Sequence, residues 1–258
     1  MLRGLARSLL YYLVTGIAIS GLAFVNQYPL VFADSGAYVD NAFRLVQIDD
    51  RPIGYGLILR AVTWQGTLWT AVLFQGALAS WLLMSLVREF VPASTNRIQV
   101  HITMVLVLLL GSSLPWYSAQ IMADLFTALL FPVIFLLFEG RELGRARRTA
   151  LWVLLFFMLT THNAHLLMGA VFSIVLLLRH VGARPRSHSG MYRATWLGFT
   201  GVLAGAFLLI MTFNLVQHDQ FRLSRAGRVF LAGRLCQAGV MQDYLARTCP
   251  HNEQPLCA

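Results

Sequence analysis

The chain has 258 residues, 57% of them apolar and only 12% charged, with a formal net charge of +9 carried by arginine and no lysine. Soluble domains carry about 25% charged residues, so this composition excludes an ordinary water-soluble domain and indicates an integral membrane protein with several spans. In a soluble protein the basic balance would suggest nucleic acid; here the arginines fall mostly in short loops, where they orient spans, and no nucleic-acid partner is expected.

A membrane-crossing helix needs about 20 apolar residues. Met1, Arg3 and Arg7 open an apolar run that reaches Pro29 without a clear small-residue cleavage site, which reads as an uncleaved first span. In chain order the candidate spans are 8–30, 64–87, 98–114, 119–138, 149–161, 163–179 and 195–214. The third, fifth and sixth are short. Only THNAH separates the fifth from the sixth, so a single broken helix competes with two spans there. The expected fold is all-α, a polytopic membrane bundle of about seven spans with a long first outer loop carrying short amphipathic helices. Residues 1–214 form its core, with the outer loop at 31–63, and 215–258 form a tail.

Arginine placement gives the orientation. Arg3 and Arg7, Arg88 and Arg97, Arg141 to Arg148, and Arg179 to Arg193 occupy one alternating set of loops. The rule that cytoplasmic loops are rich in arginine puts that set, and the N-terminus, inside. The first long loop, the LPWYS turn, the THNAH turn and the tail then share the outer face.

That first loop is a polar island, VFADSGAYVDNAFRLVQIDDRPIGYGLILR, running from about Val31 to Arg60. It holds Asp34, Asp40, Asp49 and Asp50, four of the 11 acidic residues in the chain, with Arg44, Arg51, Arg60, Tyr38 and Tyr55. Clustered charge of this kind in a membrane protein suggests a site. Asp34 follows the first span and suits a general base acting on a hydroxyl, a ligand for a divalent metal, or a plain helix cap. Pro52 starts the next helix. Beside it, Arg51 has the planar fork that suits a phosphate, or pairs structurally with Asp50 or Asp34.

Asp124 falls a turn or two into the fourth span, where a carboxylate is costly and seldom faces lipid. It either pairs with an outer arginine or histidine or belongs to a substrate site. His162 and His165 stand three apart, on one face if helical, a spacing that can hold a metal but also suits phosphate, proton transfer or a satisfied interfacial role. The tail segment FRLSRAGRVFLAGRLCQAGVMQDYLART reads as one amphipathic helix on the outer leaflet, its arginines facing lipid headgroups or water. Cys249 and Cys257 are disulfide candidates if the tail faces an oxidising compartment. No Walker motif, dinucleotide fingerprint, GxSxG or HExxH occurs, so ATP hydrolysis, hydride transfer and zinc proteolysis find no support.

Taken together, these features resemble the GT-C superfamily of integral membrane glycosyltransferases, especially bacterial members that use polyprenyl-phosphate sugars. The resemblance rests on Asp34 and Tyr38 in DSGAYV after the first span, on RPIGY at Arg51 to Tyr55 before the second, on Asp124 after a Pro-Trp-Tyr turn, and on the number of spans. It implies an inverting transfer from a polyprenyl-phosphate donor to an envelope lipid, glycan or protein at the periplasmic face of the inner membrane. Asp34 would be the general base, and Arg51 or Arg44 would offset charge on the departing phosphate. Tyr38, Asp50, Tyr55, Asp124, His162 and His165 would line the pocket. Among the site residues no metal ligand is assigned and no cofactor is required, although Mg or Mn could take part; membrane lipids are the surrounding partners. A lipid-linked-sugar carrier and a non-catalytic subunit of an envelope assembly complex are the competing readings. Few polar residues other than Gln75 stand near the middle of a span, which disfavours transport.

Overall fold

The computed structural model describes residues 2–63, 66–140, 143–182 and 189–249. Among them the fold is all-helical. The helices are α1 (Leu2–Ile19), α2 (Gly21–Val25), α3 (Ser35–Arg44), α4 (Gly54–Val62), α5 (Trp69–Phe90), α6 (Arg97–Gly111) and α7 (Leu114–Ala119). The chain continues through α8 (Asp124–Glu139), α9 (Arg145–Thr161), α10 (Asn163–Gly182), α11 (Ser189–His218), α12 (Gly227–Gln237) and α13 (Val240–Thr248). Two of them, Trp69–Phe90 and the Tyr192–His218 stretch of α11, are long and apolar enough to cross a membrane. In the second, only 28% of the most apolar window is buried. A core helix of a soluble protein would bury most of that surface. Large apolar side chains also stand exposed on α6 and α10, including Leu106, Val107, Leu110, Leu167, Ile174 and Leu178. A monomer in water rarely leaves so much contiguous apolar surface bare.

Helix α8 is the centre of the bundle. Leu125, Phe126, Leu129, Leu130, Val133, Ile134, Leu136 and Leu137 are all buried, against α5, α7, α9 and α11, and only the stripe of Ala128, Phe131 and Phe135 stays exposed. Helices α1 and α5 form the closest pairing. A Cβ on Gly16 would lie 2.5 Å from the Ala77 backbone nitrogen, and one on Gly76 would meet the Gly16 carbonyl. Small residues at that crossing let the two backbones touch, the usual device where helices gain little from the hydrophobic effect.

Several expected boundaries move, each for a local reason. The first apolar run is not one helix to Pro29. It breaks at Ser20, whose hydroxyl donates to the Val72 carbonyl at 3.1 Å, and α2 then stops at Asn26 before Gln27 turns left-handed (φ 62°). The fourth segment starts at Asp124 rather than 119, because α7 ends at Ala119 and the chain then turns extended at Gln120, which is bridged to Leu30. Asp124 is therefore the first residue of α8, not a turn or two inside it. There the unsatisfied N-terminal amides favour a carboxylate and remove most of the expected cost. The fifth and sixth segments are two helices, divided at His162, whose backbone is extended (φ −149°, ψ 137°). The tail is not a single helix: Phe221 lies before α12, and left-handed Gly239 (φ 76°) separates α12 from α13. The last apolar segment, expected to end at 214, continues as helix to His218.

Candidate functional site

Two chain segments distant in sequence are sewn together at one end of the bundle. The Leu30 amide donates to the Ala119 carbonyl at 2.9 Å, and the Ile121 amide donates to the Leu30 carbonyl at 2.9 Å. Ser35 extends the seam: its hydroxyl donates to the Ile121 carbonyl at 2.9 Å and accepts from the Phe32 amide at 2.8 Å. Asp34 thereby sits at the N-terminus of α3, close to the start of α8 and Asp124.

The cap position does not use the Asp34 side chain, which makes no capping hydrogen bond. Its carboxylate instead accepts from Arg51 Nη2 at 2.5 Å. The Arg51 side chain is 19% exposed and that of Asp34 is 34% exposed, so the pair sits at a half-buried rim. Asp50 stands 3.6 Å from Arg51 Nε, too far for a hydrogen bond, and that buried Nε has no hydrogen-bond partner among the described residues. Burial opposes the charge of Arg51, but the bond to Asp34 and the nearby Tyr38, Asp50 and Asp34 outweigh it and raise its pKa.

The approach of α4 to α9 brings Arg51 within electrostatic reach of His162. Gly54 lies so close to Thr160 that a Cβ would overlap the Thr160 backbone and hydroxyl. Gly56 is pressed in the same way onto Asn41 of α3. His162, immediately after α9, has Nδ1 accepting from the Ala164 amide at 3.2 Å. Burial, then the positive charge of Arg51, lowers its pKa, while Asp124 and Asp34 pull the other way. Arg51, Asp124 and Asp34 therefore all act electrostatically on His162.

Beneath them lies an aromatic floor. The Tyr38 and Tyr55 rings meet edge to face at 4.9 Å, and Tyr55 meets Phe126 at 5.7 Å. Burial pushes the Tyr38 hydroxyl up to about 12, with Arg51 opposing and Asp124, Asp34 and Asp50 reinforcing the rise. Tyr55 is wholly buried, and burial drives its pKa well above the ordinary phenol value. Both hydroxyls stay protonated at neutral pH. Tyr55 donates to Gln75 Oε1 at 2.7 Å, and Gln75 Nε2 donates to the Ser118 and Gln120 carbonyls at 3.0 and 2.9 Å.

His165 is held differently. Its Nδ1 lies 2.7 Å from the Met158 carbonyl and 3.1 Å from Thr161 Oγ1, and its Nε2 lies 2.7 Å from Thr127 Oγ1. The carbonyl requires Nδ1–H as donor, so Nε2 accepts from Thr127, and both ring nitrogens are engaged. The two histidines do not share a helix face, because His162 is extended, yet their rings lie 5.7 Å apart. Arg44 is not drawn into the cluster. It pairs at 2.8 Å with exposed Asp40 of the same helix, about 200° around from buried Tyr38. Among the described residues no group of three or more His, Cys, Asp or Glu could hold a metal ion.

A cleft of about 550 Å³ opens from Asp124 between α5, α6, α7 and α8. Ser112, Ser113, Tyr117 and Thr127 join Asp124 at the site end, and Ala79, Leu83, Leu108 and Pro132 line it further along these helices. A polar head over an apolar wall suits an amphipathic ligand.

The far side of the site loop is clamped by the end of α11. Gln217 donates from Nε2 to the Leu45 carbonyl at 2.5 Å and accepts from the Gln47 amide at 2.7 Å. His218 Nε2 lies 2.9 Å from the Gln47 carbonyl. Arg225 pairs with Asp49 at 2.7 Å, and the Arg225 and Ala226 amides donate to the Asp49 carbonyl. The polar island, the 112–124 turn, the 162–165 turn and the start of the tail therefore meet at one end of the bundle. Cys249 is disulfide-bonded and Cys236 is free; Cys257 lies outside the described residues.

Sequence reasoning missed Ser35, Gln75, Thr127, Gly54 and Gln217 as parts that hold the site. Each is small or neutral, and each acts through at least one partner more than 30 positions away. Comparison with protein-family models, with curated proteins and with solved structures finds no match.

Proposed function

We propose that the chain is a multi-pass membrane glycosyltransferase of GT-C type, moving a sugar from a polyprenyl-phosphate donor to an envelope acceptor at the outer face of a bacterial inner membrane. The observation that carries this reading is the half-buried Asp34–Arg51 pair, facing Asp124 and His162 beside an amphipathic cleft. In this reading the phosphate of the donor takes Arg51 away from Asp34. Arg51 has donors to spare, since its Nε is unpartnered. Released from the pair, the Asp34 carboxylate accepts the proton of the acceptor hydroxyl as that oxygen attacks the anomeric carbon. The bond from that carbon to the phosphate breaks, the configuration inverts, and Arg51 stabilises the charge left on the phosphate. Asp124 and His162 line the pocket, Asp50 holds Arg51, and Tyr38 and Tyr55 form its floor. His165, with both nitrogens used, orients α8 through Thr127.

The exposed apolar faces of α6 and α10 support a bundle embedded on more helices than the two longest. Transport loses support, because Gln75, the polar residue inside the second span, is fully occupied by Tyr55 and two carbonyls. The closed Asp34–Arg51 pair itself favours one second reading, a non-catalytic subunit in which the pair is structural.

Turnover of Asp34→Asn beside wild type separates the two. Asn keeps the size of the side chain and an acceptor for Arg51, so the size-exclusion profile should not change. With a panel of polyprenyl-phosphate sugars and native membrane extract as acceptor, transfer should fall about 10²–10⁴-fold, the usual weight of a general base. Equal transfer by both proteins removes Asp34 from catalysis.

A further inference from the structure

Helices α12 and α13 leave every side chain they carry unburied. Val229, Phe230 and Leu231 on α12 are 72%, 56% and 62% exposed, and Val240 and Tyr244 on α13 are exposed as well. The two helices pack on each other, but no apolar side chain of either is buried against the bundle. Helices this short are marginal in water without a packing partner. Something else must cover their apolar residues.

Position and charge identify the cover. α11, one of the two helices able to cross a membrane, ends at His218. α12 begins only a few residues later, at Gly227, and the intervening chain is fixed to the site loop by Ser224, Arg225 and Ala226 around the Asp49 carbonyl. The hairpin is therefore held at the level where a spanning α11 leaves the bilayer. Its arginines, Arg228, Arg234 and Arg247, outnumber its acidic residue Asp243, and α13 gathers Val240, Met241, Tyr244 and Leu245 on one side. Apolar side chains reaching into the acyl boundary with arginines at the headgroups are the signature of an interfacial helix.

We propose that α12 and α13 form a hairpin lying on the bilayer surface at the site end of the bundle, where it binds anionic lipid headgroups. The inference rests on α11 being a membrane span, and the occupant is the lipid surface rather than a protein. Cys236 is free and exposed, and it stands seven residues from Val229, on the same side of α12, so a nitroxide there reports the depth of the hairpin. The full chain is reconstituted in nanodiscs of phosphatidylcholine alone or with phosphatidylglycerol, and collisions with oxygen and with a water-soluble nickel chelate are measured. A second label at Leu208→Cys, in a Cys236→Ser background, monitors exposed Leu208 of α11.

The expected result is a several-fold drop in nickel collision at Cys236 when phosphatidylglycerol is present, reversed by high salt and abolished in Arg228→Gln/Arg234→Gln. Phe230→Ser should raise nickel collision in both kinds of disc. A Cys236 label equally open to nickel in both discs, with Leu208→Cys in the acyl region, overturns the hairpin proposal while α11 remains a span. Nickel access at both positions overturns the span reading and the hairpin proposal with it.

Discussion

Asp34 is held by Arg51 rather than by the helix it caps, so its chemistry depends on what else can engage that guanidinium. A phosphate is the natural competitor, because it matches the planar fork as well as a carboxylate does. His162 adds a dependence on pH. Burial and the charge of Arg51 keep its folded pKa below the ordinary histidine value. The unfolded chain therefore takes up a proton first as the solution is acidified. The stability that His162 contributes is complete above about pH 6.5 and is lost as pH falls through the lowered folded value. In His162→Gln, thermal unfolding measured from about pH 7 down to pH 5 should show a shallower loss than wild type; an identical slope would show that another group is responsible. Tyr55→Phe tests the floor. It leaves Gln75 Oε1 buried without its donor, and unfolding in detergent should register about 1–3 kcal/mol of destabilisation.

At the level of elements, the site is positioned by close approach. α4 reaches α9 only because Gly54 has no side chain to strike Thr160. Gly54→Ala should force the helices apart, cost about 1–3 kcal/mol as an overpacked contact does, and separate Arg51 from His162. The check is a melting temperature together with transfer activity: activity lost with the melt unchanged would mean that the helices tolerate the methyl and only the site moved. Leu45 ends α3 in a left-handed conformation (φ 55°) that a leucine seldom adopts. Gln217 grips its carbonyl at 2.5 Å, so α11 holds the loop in that shape.

For the whole molecule, one end of the bundle gathers the ionic pair, the aromatic floor, the amphipathic cleft and the root of the tail. The Asp49–Arg225 clamp sits one residue before Asp50, which borders Arg51, and so joins the tail to the site. Arg225→Ala should free the loop from the tail while leaving the buried core of α8 untouched. Amide hydrogen exchange over residues 45–50 should then accelerate by an order of magnitude or more, with exchange in α8 unchanged; equal protection of the loop in both proteins would show that Gln217 and His218 suffice to hold it.

Composition and periodicity alone carried the helical class, because apolar runs of this length leave the backbone no cheaper way to satisfy its polar groups. The grouping of the polar island, the two turns and the start of the tail at one end was likewise expected from the order of apolar runs and polar loops, and the contacts among these segments agree with it. The ionic partner of Asp34 was among the pairs the local charges allowed, and the structure selected Arg51 at 2.5 Å over the cap. Other features were not legible. The break at Ser20 and the late start of α8 come from hydrogen bonds to Val72 and Leu30, and no local pattern encodes a partner so far along the chain. Of the roles open to His165, the satisfied interfacial one is what Met158 and Thr127 select by taking both of its nitrogens. Arg44 looked equal to Arg51 until α3 turned it outward to Asp40. Residue type and spacing thus determined which groups were available for chemistry and at which end of the bundle they lie. Tertiary structure decided which of them remain free to act, because a donor or acceptor is available only when no closer partner has been folded against it.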